Sequence, residues 1–171
     1  MFFLLAFFGG ALGTLAIVKA LFLVNFKALT VVVLLQKLQP VFAITLAALL
    51  LGEKLKRNFL VWSALAITAG YFLTFGFKLP DLQTGGQTAL AAGYSLLAAF
   101  AFGSSTVFSK KVLRKFSFFT ATFYRYAFTS IIMLLYVLST GMLKGIPNIN
   151  STQWIIFAII GITTGSGAIF L

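Results

Sequence analysis

Residues 28–58 read ALTVVVLLQKLQPVFAITLAALLLGEKLKRN and constrain the fold more than any other stretch. A bilayer core of about 30 Å is crossed by roughly 20 helical residues, and this segment is long and apolar enough to cross it. Near its midpoint it nonetheless carries Gln36, Lys37, Gln39 and Pro40. A charge at that depth costs about 2.5–3.5 kcal/mol on insertion scales. Pro40 has no N–H, so a carbonyl of the preceding turn loses its helical donor. Lys37 lies roughly 13 Å along the axis from the start of the span, too deep to snorkel easily. Such a helix is expected to border a polar cavity. It stops at Gly52-Glu53, and Lys54, Lys56 and Arg57 follow.

The whole chain agrees with a membrane setting. Of its 171 residues 61% are hydrophobic and 9% charged, where a soluble domain carries about 25% charged residues. The net charge of +11 does not point to nucleic acid, because the basic residues fall mainly in short loops between apolar runs. Cysteine and histidine are absent and Glu53 and Asp81 are the two acidic residues. No thiol nucleophile, Ser-His-Asp triad or Cys/His metal site can be assembled from this set. Neither an enzyme, a bound metal nor a cofactor is expected. The expected surroundings are the lipid bilayer of an inner or plasma membrane.

Six apolar spans are expected, at about 2–24, 29–52, 59–77, 88–108, 117–139 and from 153 onward. Asn58 is read as the N-cap of the third, and Trp62 as a packing residue within it. The breaker-rich link around Lys78, Pro80, Asp81, Gly85 and Gly86 is the best boundary between two halves. The loops after spans two and four hold seven Lys and Arg residues, against three in the loops after spans one, three and five. By the positive-inside rule the first group faces the cytoplasm, which places both chain ends there and Glu53 and Asp81 on opposite sides.

A shift of 152 residues aligns Ala6, Gly9, Gly13, Ala16 and Ile17 with Ala158, Gly161, Gly165, Ala168 and Ile169. First and sixth spans then correspond, which implies a five-helix unit. An odd unit repeated once is inverted in the membrane. Gly9 and Gly13 form a GxxxG pair suited to close helix packing, and Pro40 is read as a packing kink or hinge. Gln36, Lys37 and Pro40, spaced by three and four residues, are expected near one face of one helix. Lys37, Gln36, Arg125 and Tyr124 are the candidate substrate-binding residues, because a cation within a span can pair with an anionic group of a solute. Glu53, Lys54 and Arg57 form an expected charge cluster at the cytoplasmic end. Ser104, Ser105 and Thr106 are expected to bond between helices, and Lys19 to reach the headgroups.

The stretch LQPVFAITLAALLLGEKL followed by NFLVWSALAITAGYFL resembles the EamA-type domain of the drug/metabolite transporter superfamily. AAGYSLLAAFAFGSSTVFSKK, FYRYAFTSIIMLL and WIIFAIIGITTGSGAIF look like the first three helices of a second such domain. The resemblance implies an all-α integral membrane protein with six transmembrane helices, part of a ten-helix inverted 5+5 bundle. Residues 1–78 would be the last three helices of one repeat, 79–87 a linker, and 88–171 the first three helices of the next. Because Met1 and Leu171 both lie in apolar runs, a piece of a longer reading frame is expected; six helices standing alone would need a homodimer. The resemblance also implies secondary transport of a small metabolite (an amino acid, organic anion or drug-like solute) by alternating access. A non-transporting membrane scaffold, or a truncated inactive transporter, is the alternative. An arginine commonly occurs in the family at the place of Arg125, which favours an architectural role beside a binding one.

Overall fold

The computed structural model describes residues 1–25, 29–54, 57–75, 77, 86–143 and 149–166. The chain runs α1 Phe2–Ala6, a π-helical segment Phe7–Leu12, α2 Gly13–Leu23, α3 Leu29–Gln36, α4 Gln39–Leu51, α5 Arg57–Phe75, α6 Gly86–Leu113, α7 Phe118–Ser139, α8 Ser151–Ile160 and a second π-helical segment Gly161–Ser166. Among the described residues four helices are long and apolar enough to cross a membrane: Phe2–Leu23, Leu29–Leu51, Gln87–Leu113 and Phe118–Ser139. The architecture is all-α, as expected. The link at 78–85 and the loop residues Lys27, Lys144, Pro147 and Asn148 lie outside the described residues.

Local chemistry sets the helix ends. Gly52 stops α4 in the left-handed conformation, φ 65°, which a residue without Cβ adopts at little cost. Ser117 begins α7 by accepting the Thr120 N–H at 3.3 Å. Asn150 and Gln153 form a reciprocal capping box at the start of α8. Two expectations fail here. Asn58 lies inside α5 rather than capping it, because the helix already begins at Arg57. Trp62 does not pack within the bundle: it is 69% exposed, on a helix whose described neighbour is α3.

Helix α6 is the hub, packing against α1, the first π-segment, α2, α3, α4 and α7. Its sequence explains why. Ala91, Ser95, Ala98, Ala99, Ala101, Ser104 and Ser105 are buried, so small side chains let several backbones approach. A Cβ on Gly103 would lie 3.0 Å from the Ala43 backbone nitrogen and 3.0 Å from the Gln39 carbonyl oxygen. A Cβ on Gly13 would meet the Phe102 ring at 2.7 Å.

The first span leaves α geometry where two hydroxyls reach it. Ser105 Oγ donates to the Leu5 carbonyl at 3.4 Å, and Thr129 Oγ1 to the Ala6 carbonyl at 3.5 Å. In a regular α-helix those carbonyls would accept from Gly9 and Gly10. Instead the register widens, and the Gly13 N–H bonds to the Phe8 carbonyl five residues back. Gly9 also faces the Ser105 side chain directly, and Gly10 faces Thr129. Of the hydroxyl triplet only Ser105 bonds between helices; Ser104 and Thr106 bond back to the Phe100 and Phe102 carbonyls of their own helix. The span that aligns with the first under the 152-residue shift also turns π-helical, at Gly161–Ser166.

Replacing Gly103 with Val should overpack the α4–α6 contact and cost about 1–3 kcal/mol. Thermal unfolding of the detergent-solubilised protein, followed by size-exclusion fluorescence, should show a lower midpoint for Gly103→Val than for Gly93→Val. Gly93 has open space around its Cβ position, so equal midpoints would refute the close-approach account.

Candidate functional site

The second span is broken where its polar residues cluster. Pro40 sits in the first turn of α4, where its missing N–H is tolerated, and Lys37-Leu38 form a turn between α3 and α4. The Lys37 N–H is shared between the Val33 and Leu34 carbonyls at 3.1 and 3.0 Å, and the Leu38 N–H bonds to Leu35 at 3.2 Å. The turn therefore tightens before the new helix starts. The three residues of the expected face straddle this turn: Gln36 closes α3, Lys37 lies in the turn and Pro40 opens α4. Lys37 and Pro40 are exposed, while Gln36 and Gln39 are half-buried. The close contact at Gly103 places this break beside α6, since the Gln39 carbonyl is one of the groups that Gly103 accommodates.

Arg125 lies elsewhere, in a cleft between α1, α6 and α7. It is half-buried and shares a cavity of about 140 Å³ with Leu5, Ser109, Leu113, Phe118, Ala121 and Thr122. Its Nη2 is 3.5 Å from the point where a Cβ on Gly9 would sit, so the absence of a side chain there leaves room for the guanidinium. The cavity has room for a small anionic group or a few waters. Lys37 and Gln36 do not line it. Tyr124 does not line it either. Successive helical residues point about 100° apart, and the Tyr124 ring lies 5.0 Å from Phe2 and 6.4 Å from Phe128 in an aromatic cluster. The four candidate binding residues thus occupy three places: a helix break, a cleft and an aromatic cluster.

The acidic end of α4 finds its partners far along the chain. Glu53 Oε1 is 2.7 Å from Lys110 Nζ and 3.6 Å from Arg114 Nη2, both on or just beyond the last turn of α6. Among the described residues these are the ion pairs of Glu53; Lys54 is exposed, and the Arg57 side chain is not described. A carboxylate after a helix C-terminus is unfavourable to the macrodipole, whereas Lys110 and Lys111 in the last turn of α6 are favourable. Bringing the two ends together offsets the first with the second. Sequence reading missed Lys110 and Arg114 as partners, although both had been assigned to the same membrane face as Glu53. The pairs are partly exposed, with Glu53 at 31% and Lys110 at 53%, so solvent screens them.

The comparisons with known proteins agree with this architecture. Residues 89–171 match the model of the EamA-like transporter family. The chain is 58% identical over 170 residues to the "Riboflavin transporter ImpX" of Fusobacterium nucleatum subsp. nucleatum (strain ATCC 23726 / VPI 4351). That alignment covers 99% of this chain and 57% of the relative, so the chain spans little more than half of that protein's length. No solved structure matches the chain. The chain is thus similar to EamA-like transporters over its second half and to a named transporter over almost its whole length, and it shares their helical character.

A double-mutant cycle checks the contact between helix ends. Glu53→Gln and Lys110→Met should each destabilise slightly, with a coupling of about 0.2–1 kcal/mol, the range of exposed pairs. The exchange Glu53→Lys with Lys110→Glu should recover most of the loss. Purely additive losses would show that the two side chains do not interact.

Proposed function

We propose that this chain contributes to a secondary transporter that moves a small planar metabolite of the flavin type across a membrane by alternating access. The observation that carries the reading is the 58% identity, over almost the whole chain, to a protein named as a riboflavin transporter. Flavins are preferred to amino or organic acids on that ground. Their ring carbonyls accept hydrogen bonds, and Lys37 and Arg125 are donors placed within spans that otherwise hold little charge. In this reading Lys37 and Gln36, at the broken helix beside α6, face the solute path, and Arg125 holds a polar group in its cleft. Tyr124 serves as a ring surface on the same side of the bundle as α1. Pro40, Gly9 and Gly13 let helices bend or slide.

Several further features belong to the same proposal. Residues 1–78 and 88–171 are parts of two inverted repeats, joined by 79–87. The ends bearing Glu53, Lys110 and Arg114 face the cytoplasm, following the loop charges. A second copy in a homodimer completes the pathway. All ten residues of α8 are exposed, which suits a helix waiting for such a neighbour or for lipid.

The test is uptake of radiolabelled riboflavin into proteoliposomes containing the natural protein. Saturable uptake, competed by unlabelled riboflavin, is the expected result. Lys37→Met should lower uptake at least tenfold while membrane insertion stays unchanged. Unchanged uptake in that variant removes Lys37 from the solute path. Absence of any flux, in protein that is folded and inserted, favours the scaffold reading.

A further inference from the structure

A cavity remote from both the Arg125 cleft and the helix break combines one cation with two phenols. Its volume is about 540 Å³, within the roughly 300–1,000 Å³ range of small-molecule sites. It opens between α2, the first third of α6 and the last turn of α7, with Lys19, Tyr94 and Tyr136 set among apolar residues such as Leu15, Leu97 and Met142. Its end of the bundle is opposite to the Glu53 cluster. The start of the first span packs near the α6–α7 turn, through Phe2 and Phe116 with ring centroids 5.0 Å apart, whereas Lys19 is near the other end of that span.

Lys19 was expected to extend to the headgroups. Its ammonium instead lies over the Tyr94 ring, 5.2 Å from the centroid. It stands about 6 Å from the end of α2, close enough to water to be reached by a solute. Tyr94 is fixed from behind: it is partly buried against the core formed by Ala20, Val24, Val32 and Ala91. A partly buried aromatic wall, a cation resting on it and a second phenol lining the same apolar space suit a flat ring with a carbonyl-bearing edge. A ring bound there would take the face of Tyr94, with Lys19 displaced from that face to donate to the edge carbonyls.

We propose that this cavity is a binding site for planar heteroaromatic solutes, at the end of the bundle opposite Glu53, where a solute is held on entering or leaving. The ligand class rests on the flavin reading given above, but the site has its own test. The probe is lumichrome, the tricyclic flavin ring without its sugar-like chain, titrated into purified protein in nanodiscs while its fluorescence is followed. Stacking on Tyr94 should quench it saturably. Lys19→Met and Tyr94→Leu should each weaken binding at least tenfold, and Lys19→Arg should restore it to within about threefold of wild type. Lys19 is exposed, so its variants are expected to fold.

Saturable quenching with this mutant pattern supports the site even if riboflavin uptake is absent; the flavin-transport reading alone would then fail. Three results would overturn the site. One is a lack of saturable quenching by folded wild-type protein. Another is equal affinity in wild type, Lys19→Met and Tyr94→Leu, which would leave the transport reading standing if uptake persists. The third is a Lys19→Met variant that loses co-purified anionic phospholipid but keeps its lumichrome affinity, which would make the cavity a lipid site.

Discussion

Helices in a bilayer gain little from hiding apolar surface, because lipid tails are as apolar as leucine; close backbone approach and a few interhelical hydrogen bonds must hold them instead. Helix α6 meets that condition along most of its length. Its buried face is built mainly of Ala, Ser and Gly, with Val107 and Val112 towards its end, and at Gly103 the α4 backbone comes so near that a methyl group would touch both a nitrogen and a carbonyl oxygen. Most of the remaining helices contact this one helix, although α1 and the first π-segment also pack on α7. The first span lies close enough for Ser105 to reach the Leu5 carbonyl, and α4 is held with its start beside Gly103. Both sites of broken helical geometry near the bundle centre, the π-segment at 7–12 and the turn at Lys37-Leu38, border α6.

Much of this architecture was legible in the sequence because hydropathy and loop charge act locally. The apolar runs, the stop at Gly52 and the placing of Lys54, Lys110 and Arg114 at one end of the bundle need only nearby residues. The misses are of another kind. Glu53 was matched to neighbouring cations, but its partners lie on a helix 57 and 61 residues further on. The π-segment depends on hydroxyls 100 and 123 residues from the carbonyls they meet. Tyr124 and Arg125 look like a pair in sequence, but helical rotation sends one into an aromatic cluster and the other into a cleft. Asn58 had the chemistry of a cap, yet the helix started before it.

Proline and glycine interrupt the bundle in different ways. Pro40 divides a membrane-length run into two helices and leaves polar residues at the seam, where Gln36 and Gln39 are half-buried. Gly9 and Gly10 do not divide their span. They admit two foreign hydroxyls and shift its register by one residue, so the face presented after Leu12 is rotated relative to the face before it. The Arg125 cleft and the Lys19–Tyr94 cavity lie on the two sides of that shift.

The long sequence interval between Glu53 and its partners also fixes an order of events during synthesis. At roughly 5–20 residues per second, Lys110 is made roughly 3–11 s after Glu53. Throughout that interval the end of α4 carries a carboxylate whose eventual partners do not yet exist, beside the basic residues Lys54, Lys56 and Arg57. When α6 is complete, its cationic end supplies the counter-charge, on the same helix whose Gly103 lies against α4. The ion pair therefore joins two helix ends that cannot meet until the central helix has been made.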